Sequence, residues 1–332
     1  RLLEFQPHTR DFARGPDSPL SLDLLIVDEA SMLDVALAHR LVQALPDRAR
    51  LLLVGDVDQL PSIGPGRVLA DLIESGTLEV ARLRDIFRQG EASQIVVNAH
   101  RVRDGLMPIA GREPGPSSDF FFIERREPEA ILDTVRHLVA ERIPNSFAMR
   151  PLDDIQVLTP MRRGLLGTAN LNAELQAHLN PDAEEIRRGG HLLRIGDRVM
   201  QRRNDYDLGV FNGDVGRIVG FDLQEHRASI DMDGRLVVYP FGSLDQLHLA
   251  YASSIHKSQG SEYPCVVIPL HTQHYALLQR NLLYTAITRG RRLVVIVGSR
   301  RALDIATHQV GLSHRNTLLA ERLRGEVEPL VG

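Results

Sequence analysis

The sequence predicts an α/β fold of two layered domains, the second interrupted by a small β-barrel. Three observations predict it. Short apolar runs without polar alternation end in Asp, Gly or Pro, at residues 24–27, 51–54, 156–158, 266–268 and 293–297. That is the pattern of strands buried on both faces of a parallel sheet. Amphipathic stretches lie between them, at 35–45, 68–75, 93–103, 128–142, 169–178 and 277–288, and strands alternating with helices imply α/β layers. Residues 198–201, 216–221, 228–232 and 236–239 are instead short strand-like runs separated by turns such as Asn212-Gly213 and Asp233-Gly234.

These patterns divide the chain into a first domain over residues 1–82, a second over 83–190 and 246–332, and an inserted barrel over 191–245. Residues 4–20, with Pro7, Gly15 and Pro16, read as a hairpin before the first core strand. Residues 105–118 form a Gly/Pro-rich loop.

A chain of 332 residues can bury large cores. No apolar run reaches the roughly 18 residues of a membrane span, and the first ten residues lack the apolar region of a secretion signal. The single cysteine, Cys265, permits no intrachain disulfide, which points to a reducing cytoplasm. The net charge of −4 excludes a polycation, yet arginine pairs recur at 162/163, 187/188, 202/203, 291/292 and 300/301, and local basic surface matters more for phosphate than net charge does. Of 39 basic residues only Lys257 is a lysine.

Five stretches carry chemistry. LDLLIVDEAS delivers Asp28 and Glu29 at the carboxyl end of a strand, where α/β sheets bind ligands. Adjacent carboxylates suit nucleotide hydrolysis, one holding Mg²⁺ and one orienting water; an Asp-Glu pair there also suits a helix N-cap. LLLVGDVDQLPSIGPG places Gln59 to sense a terminal phosphate, or reads as an ordinary loop. Arg88, in LRDIFRQ, and Arg289, in LYTAITRGRR, can stabilise the charge of phosphoryl transfer, or form surface ion pairs. YASSIHKSQGSE gathers Ser254, His256 and Lys257 as donors to phosphate or sugar oxygens and Glu262 as an acceptor from ribose, unless it is a solvated loop.

Taken in order, these blocks resemble the motifs of superfamily-1 helicases of the RecD/TraA branch. VDEAS resembles motif II, GDVDQLPSIGPG motif III, LRDIFRQ motif IV, IHKSQGSE motif V and LLYTAITRGRR motif VI. QVLTPMRRGLLGTANLN is similar to the start of the family's second motor domain, and NDYDLGVFNGDVG to its SH3-like insertion. The resemblance implies two RecA-like P-loop NTPase-type domains, the first incomplete, with an SH3-like barrel in the second. It implies an ATP- and Mg²⁺-dependent helicase that moves 5′ to 3′ on single-stranded DNA, or at single-strand/duplex junctions, in recombination or repair. Asp28 would hold Mg²⁺, Glu29 would be the catalytic base, and Gln59 would couple the γ-phosphate to DNA. Arg88 and Arg289 would be arginine fingers, and Glu262 would contact the nucleotide sugar. Pro61, Thr159, Arg162, Asn212, Ser254, His256 and Lys257 would lie along the DNA strand. Segment 4–20 falls where the family carries its strand-separating pin, with Phe5 or Phe12 as wedges.

One departure matters. The phosphate-binding loop needs G-x-x-x-x-G-K-[ST], and the sequence holds no Gly-Lys pair. The resemblance therefore implies a chain that starts downstream of that loop and is inactive alone. Other readings are a non-catalytic single-strand-binding module, the helicase part of a conjugative relaxase, and a subunit beside recombination nuclease partners.

Overall fold

The computed structural model describes residues 2–6, 8–83, 93–110, 118–188, 190–310 and 317–326. The chain divides into two compact units, Arg1–Ile86 with Val310–Gly332, and Phe87–Gln309.

In the first unit β1 (Phe5–Gln6) pairs antiparallel with β2 (Asp11–Phe12), so the expected hairpin forms. Phe5 stands opposite Phe12, and their rings meet edge to face at 5.5 Å. Next, β3 (Leu24–Val27) runs parallel to β4 (Arg50–Leu53). Between them lies α1 (Val35–Gln43), whose Asp34 cap accepts a hydrogen bond from the Leu37 amide at 2.8 Å. After β4 comes α2 (Val68–Ser75), closed by Gly76 in the left-handed conformation.

Leu25 and Val27 pack onto a core of Leu20, Leu33, Leu41, Ala44 and Val68. The other face is open: Leu24 and Ile26 remain 52% and 56% exposed. Burial of these strands on both faces, which the apolar runs predict, therefore fails in this unit, because among the described residues only one side of the pair is covered.

The second unit fulfils that expectation. It begins with α3 (Gln94–Arg103), β5 (Phe120–Glu124) and α4 (Pro128–His137), which continues through a π turn into α5 (Ile143–Phe147). Then come β6 (Ile155–Thr159) and α6 (Thr168–Leu179). A ribbon of β7 (Glu185–Arg188) and β8 (His191–Arg194) leads into the insertion. There β9 (Arg198–Gln201), β10 (Val215–Asp222), β11 (Arg227–Met232), β12 (Arg235–Pro240) and β13 (Leu247–Leu249) form an antiparallel sheet in the order β12-β11-β10-β9-β13.

The chain returns through β14 (Ala252–Ser254), β15 (Tyr263–Leu270), α7 (Arg280–Thr288), β16 (Gly290–Gly298) and α8 (Arg300–His308). A wholly parallel sheet results, in the order β14-β6-β15-β16-β5. Val266, Val267, Val294, Val295 and Ile296 are fully buried. The insertion has its own core, around Val199, Ile218, Ile230 and Tyr239.

The last described helix, α9 (Leu319–Leu323), belongs to the first unit, where the Thr317 hydroxyl donates to Asp71 of α2 and Arg324 donates to the Glu74 carbonyl at 3.2 Å. The sequence places residues 246–332 in the second domain; the structure returns the segment after residue 309 to the first.

After β15 a 3-10 turn, Thr272–Leu277, buries His274 at 1% exposure. Its Nδ1 accepts from the His271 amide, while Nε2 finds no hydrogen-bond partner among the described residues. Burial, with the neighbouring His271, pushes its pKa down to about 4. The unfolded chain thus takes up this proton first, near pH 6.5. Stability from His274 is complete above that pH and is lost as pH falls towards 4. The loss amounts to roughly 3 kcal/mol. Urea unfolding of wild type and His274→Gln from pH 7 to 4 checks this: the variant should lose less stability over that window.

Candidate functional site

Two loops cross at the carboxyl end of β3 and β4. The Val54 amide donates to the Val27 carbonyl and the Ala30 amide to the Val54 carbonyl, both at 2.8 Å; the Ser62 amide donates to the Ser31 carbonyl at 3.1 Å. Gly55 fits against this lacing: a Cβ there would stand 3.0 Å from the Ala30 and Ser31 nitrogens and 2.8 Å from Leu69. Asp28, Glu29, Gln59 and Pro61 all lie on these two loops.

Asp28 is exposed, and its Oδ1 accepts from the Glu29 amide at 2.8 Å. Its second oxygen suits Mg²⁺, which takes one or two carboxylates alongside substrate phosphates and waters. Among the described residues no group of three or more His, Cys, Asp or Glu gathers into a metal site, so nucleotide oxygens would have to complete the shell. Glu29 is left-handed, at φ 52° and ψ 39°, a conformation that costs a non-glycine residue about 1–2 kcal/mol. Gln59 lies half-buried, its Nε2 donating to Asp56 Oδ2 at 3.3 Å.

In the second unit the parallel register sets Ser254 beside Thr159 at the ends of β14 and β6. Thr159 is fully buried and its hydroxyl donates to the Leu166 carbonyl at 2.6 Å. It therefore braces the loop that carries Arg162, an exposed residue. Just past Ser254, the turn Ile255–Ser258 carries His256 and Lys257. Burial holds His256 below the usual imidazole range, so it is neutral at pH 7. Lys257 is lowered by partial burial and by the charges of Arg162 and Arg202. Arg162, Arg202 and Lys257 thus share one positive field with His256 beside it. Arg202, whose charge reaches Lys257, lies outside the motifs; the sequence marks it only through the Arg202-Arg203 pair.

Arg289 caps α7, is 3% exposed, and donates to the Ser261 carbonyl at 3.2 Å, while its own carbonyl accepts from the Tyr263 amide at 2.8 Å. The Glu262 carboxylate accepts from Arg291 at 2.6 Å. Asn212 lies apart, exposed on a loop of the insertion, with its amide donating to Asn204 Oδ1 at 3.0 Å. Arg88 lies outside the described residues.

A buried network joins the insertion to this site. Asp197, fully buried before β9, accepts from Tyr251 Oη at 2.7 Å, Gln176 at 2.6 Å, Asn180 at 2.9 Å and the Arg194 amide at 2.7 Å. Tyr251 directly precedes β14. Burial and the Asp197 charge push its hydroxyl far above the ordinary tyrosine range, keeping it a neutral donor. Tyr251→Phe removes one donor from a buried carboxylate and should cost about 1.5–3 kcal/mol of unfolding free energy, measured by urea denaturation; a cost under about 0.5 kcal/mol sinks the assignment.

Family models match three segments: an AAA domain over residues 9–111, the SH3 domain of ATP-dependent RecD-like DNA helicases over 171–232, and the UvrD-like helicase C-terminal domain over 249–297. The chain is 37% identical to the ATP-dependent RecD2 DNA helicase of Deinococcus radiodurans, over 98% of this chain and 42% of that protein. It is 32% identical to the RecBCD enzyme subunit RecD of Mycolicibacterium smegmatis, over 98% of this chain and 58% of that one. The chain thus spans about half the length of the curated relatives it matches. Among solved structures, Bacteroides Pif1 helicase with ADP-AlF3 and ssDNA shares its fold at TM-score 0.51 and 20% identity, covering 83% of this chain and 70% of that one. The fold is thus shared with a solved helicase, and two of the matched segments are described as helicase domains. The matched SH3 segment, and the likeness of 98% of this chain to a part of RecD2 and of RecD, mark the chain as RecD-like.

Proposed function

We propose that this chain is the motor portion of an ATP-dependent DNA helicase that moves 5′ to 3′ along single-stranded DNA in recombination or repair, in the cytoplasm. The observation that carries the reading is the pair of laced loops at the ends of β3 and β4, which set Asp28, Glu29 and Gln59 at one strand edge. A left-handed glutamate is expensive backbone, and such strain concentrates where a side chain must be aimed.

In this reading Glu29 orients the attacking water and takes its proton, and Gln59 hydrogen-bonds the terminal phosphate. Asp28 holds Mg²⁺, which when bound neutralises phosphate charge. Arg289 and Arg88 add positive charge to the transferring phosphoryl group, and Glu262 faces the ribose. On the DNA side Arg162, Arg202 and Lys257 take phosphates; Ser254, the neutral His256, Pro61 and Asn212 add polar and packing contacts. Thr159 acts through the loop it braces. The hairpin of Phe5 and Phe12 is the candidate strand-separating pin. Such contacts read backbone and not sequence. The mycobacterial relatives are RecBCD enzyme subunits by name, which favours recombination nuclease subunits as partners.

Two measurements test this. In the intact protein Glu29→Gln should lower ATP hydrolysis stimulated by single-stranded DNA by roughly 10²–10⁴-fold, with DNA affinity little changed; undiminished turnover refutes the assignment. The 332-residue chain should bind oligothymidylate with an affinity that falls steeply with salt. Lys257→Ala should lower the slope of log affinity against log salt by about 1; an unchanged slope removes Lys257 from the strand.

A further inference from the structure

Among the described residues of the insertion, one aromatic ring stands half out in water. Tyr206 is 50% exposed, on the loop between β9 and β10. The loop is held firmly. Asp205 and Val210 exchange backbone hydrogen bonds at 2.8 and 2.9 Å, and Asp205 Oδ1 accepts from the Leu208 amide at 3.0 Å. Gln246, buried beneath, donates to Asp205 Oδ2 at 3.3 Å. Arg235 of β12 donates to the Leu208 and Gly209 carbonyls at 3.1 and 2.7 Å. Asp214 accepts from the Phe211 amide at 2.8 Å. The Phe211 ring then backs Tyr206 edge to face, with centroids 5.8 Å apart and planes at 84°.

An exposed aromatic costs solvation, and a floppy loop would fold it away. Here the loop is braced while the ring is left outside. The loop also starts from Arg202, whose backbone amide is fixed to the Gln246 carbonyl at 2.8 Å and whose charge acts on Lys257. It ends at Asn212, and Arg202, Arg203, Asn204, Tyr206 and Asn212 are all exposed. Asp205 and Asp214 spend carboxylate oxygens on the loop's own amides, while Asp207, next to the ring, is exposed and faces solvent. A braced π face on a loop that starts from Arg202 and Arg203 suits a nucleobase, with phosphates on the arginines and a base on the ring.

We propose that Tyr206 is a base-stacking platform for single-stranded nucleic acid, making the inserted domain a binding surface and not a spacer. This rests on the reading above that the chain binds single-stranded DNA. Stacking needs the ring and not the hydroxyl, because every base presents a π face. The subsite should therefore tolerate Phe and Trp, reject Ala, and show little sequence preference.

The chain contains no tryptophan, so Tyr206→Trp creates a lone indole reporter at the position in question. The 332-residue variant is titrated with oligothymidylate while indole emission is followed, with anisotropy of a labelled oligonucleotide in parallel. Stacking predicts quenching that saturates with the anisotropy. Tyr206→Ala should weaken binding roughly 5- to 150-fold, the range for loss of one stacked base, with Tyr206→Phe near wild type. The salt slope should stay unchanged in Tyr206→Ala, because no ion contact is lost. Indole emission that ignores DNA while anisotropy reports binding overturns the platform and leaves the DNA-binding reading standing. Wild-type affinity in Tyr206→Ala does the same. Absence of any anisotropy change in wild type overturns both.

Discussion

A buried carboxylate must be satisfied completely or it costs several kcal/mol, and Asp197 is the residue on which that constraint falls. Its donors come from four places: α6 through Gln176, the residue after α6 through Asn180, the end of the β7–β8 ribbon through the Arg194 amide, and the entry to β14 through Tyr251. These are the points where the chain leaves the motor sheet for the insertion and where it returns. An apolar plug could fill the same space but would not fix direction. The carboxylate demands each donor at its own angle, so the insertion leaves the sheet in one orientation. Arg202 and the Tyr206 loop follow Asp197 by a few residues along β9, and Ser254 follows Tyr251 along β14. The network therefore sets both halves of the candidate DNA track.

Parallel pairing performs the corresponding work inside each sheet. Strands that run the same way must end at the same edge, so whatever follows them is gathered there without further instruction. Val27 beside Leu53 brings the Asp28-Glu29 loop against the Gln59 loop, and Thr159 beside Ser254 brings the Arg162 loop against the Lys257 turn. Fine positioning is then local. Gly55 lets the backbones of two loops touch, and Glu29 takes a left-handed φ just past the end of β3.

These physical roles explain what was legible in the sequence. Apolar runs and their polar ends mark strands and strand-end loops directly, because burial and chain reversal are local properties. Hence 24–27, 68–75 and 198–201 coincide with β3, α2 and β9, and the α/β class with its SH3-type insertion stands. Burial by other elements is not local. Nothing in LLIV distinguishes a strand covered on one face from one covered on both, so the exposure of Leu24 and Ile26 went unread. The run FFFIE, which became the edge strand β5, was missed among the apolar runs, and α9 was assigned to the wrong unit because docking on α2 leaves no mark in its own residues. Site chemistry divides similarly. Motif order located Asp28, Glu29 and Lys257, but Thr159 carries a hydroxyl whose inward use depends on the Leu166 carbonyl seven residues away. The Asp197 network was likewise silent, since its members span residues 176 to 251.

The segment between β14 and β15 joins the two chemistries more directly than any other part of the second unit. Lys257, which shares the field of Arg162 and Arg202, is four residues from Ser261, whose carbonyl holds the Arg289 guanidinium, and five from Glu262, which holds Arg291. Gly260, at φ 75°, supplies the left-handed turn between them, a conformation that a side chain would oppose. Both ends are anchored: Ile255 and Ser258 are buried on one side, and the Tyr263 amide is bonded to the Arg289 carbonyl on the other. A displacement of Arg289 on meeting phosphate would pull on the Ser261 carbonyl, and only one turn of backbone separates that carbonyl from the lysine. In the proposed reading, where Arg289 meets phosphate and Lys257 the strand, residues 258–261 are the short backbone link between them, with Gly260 as its left-handed turn.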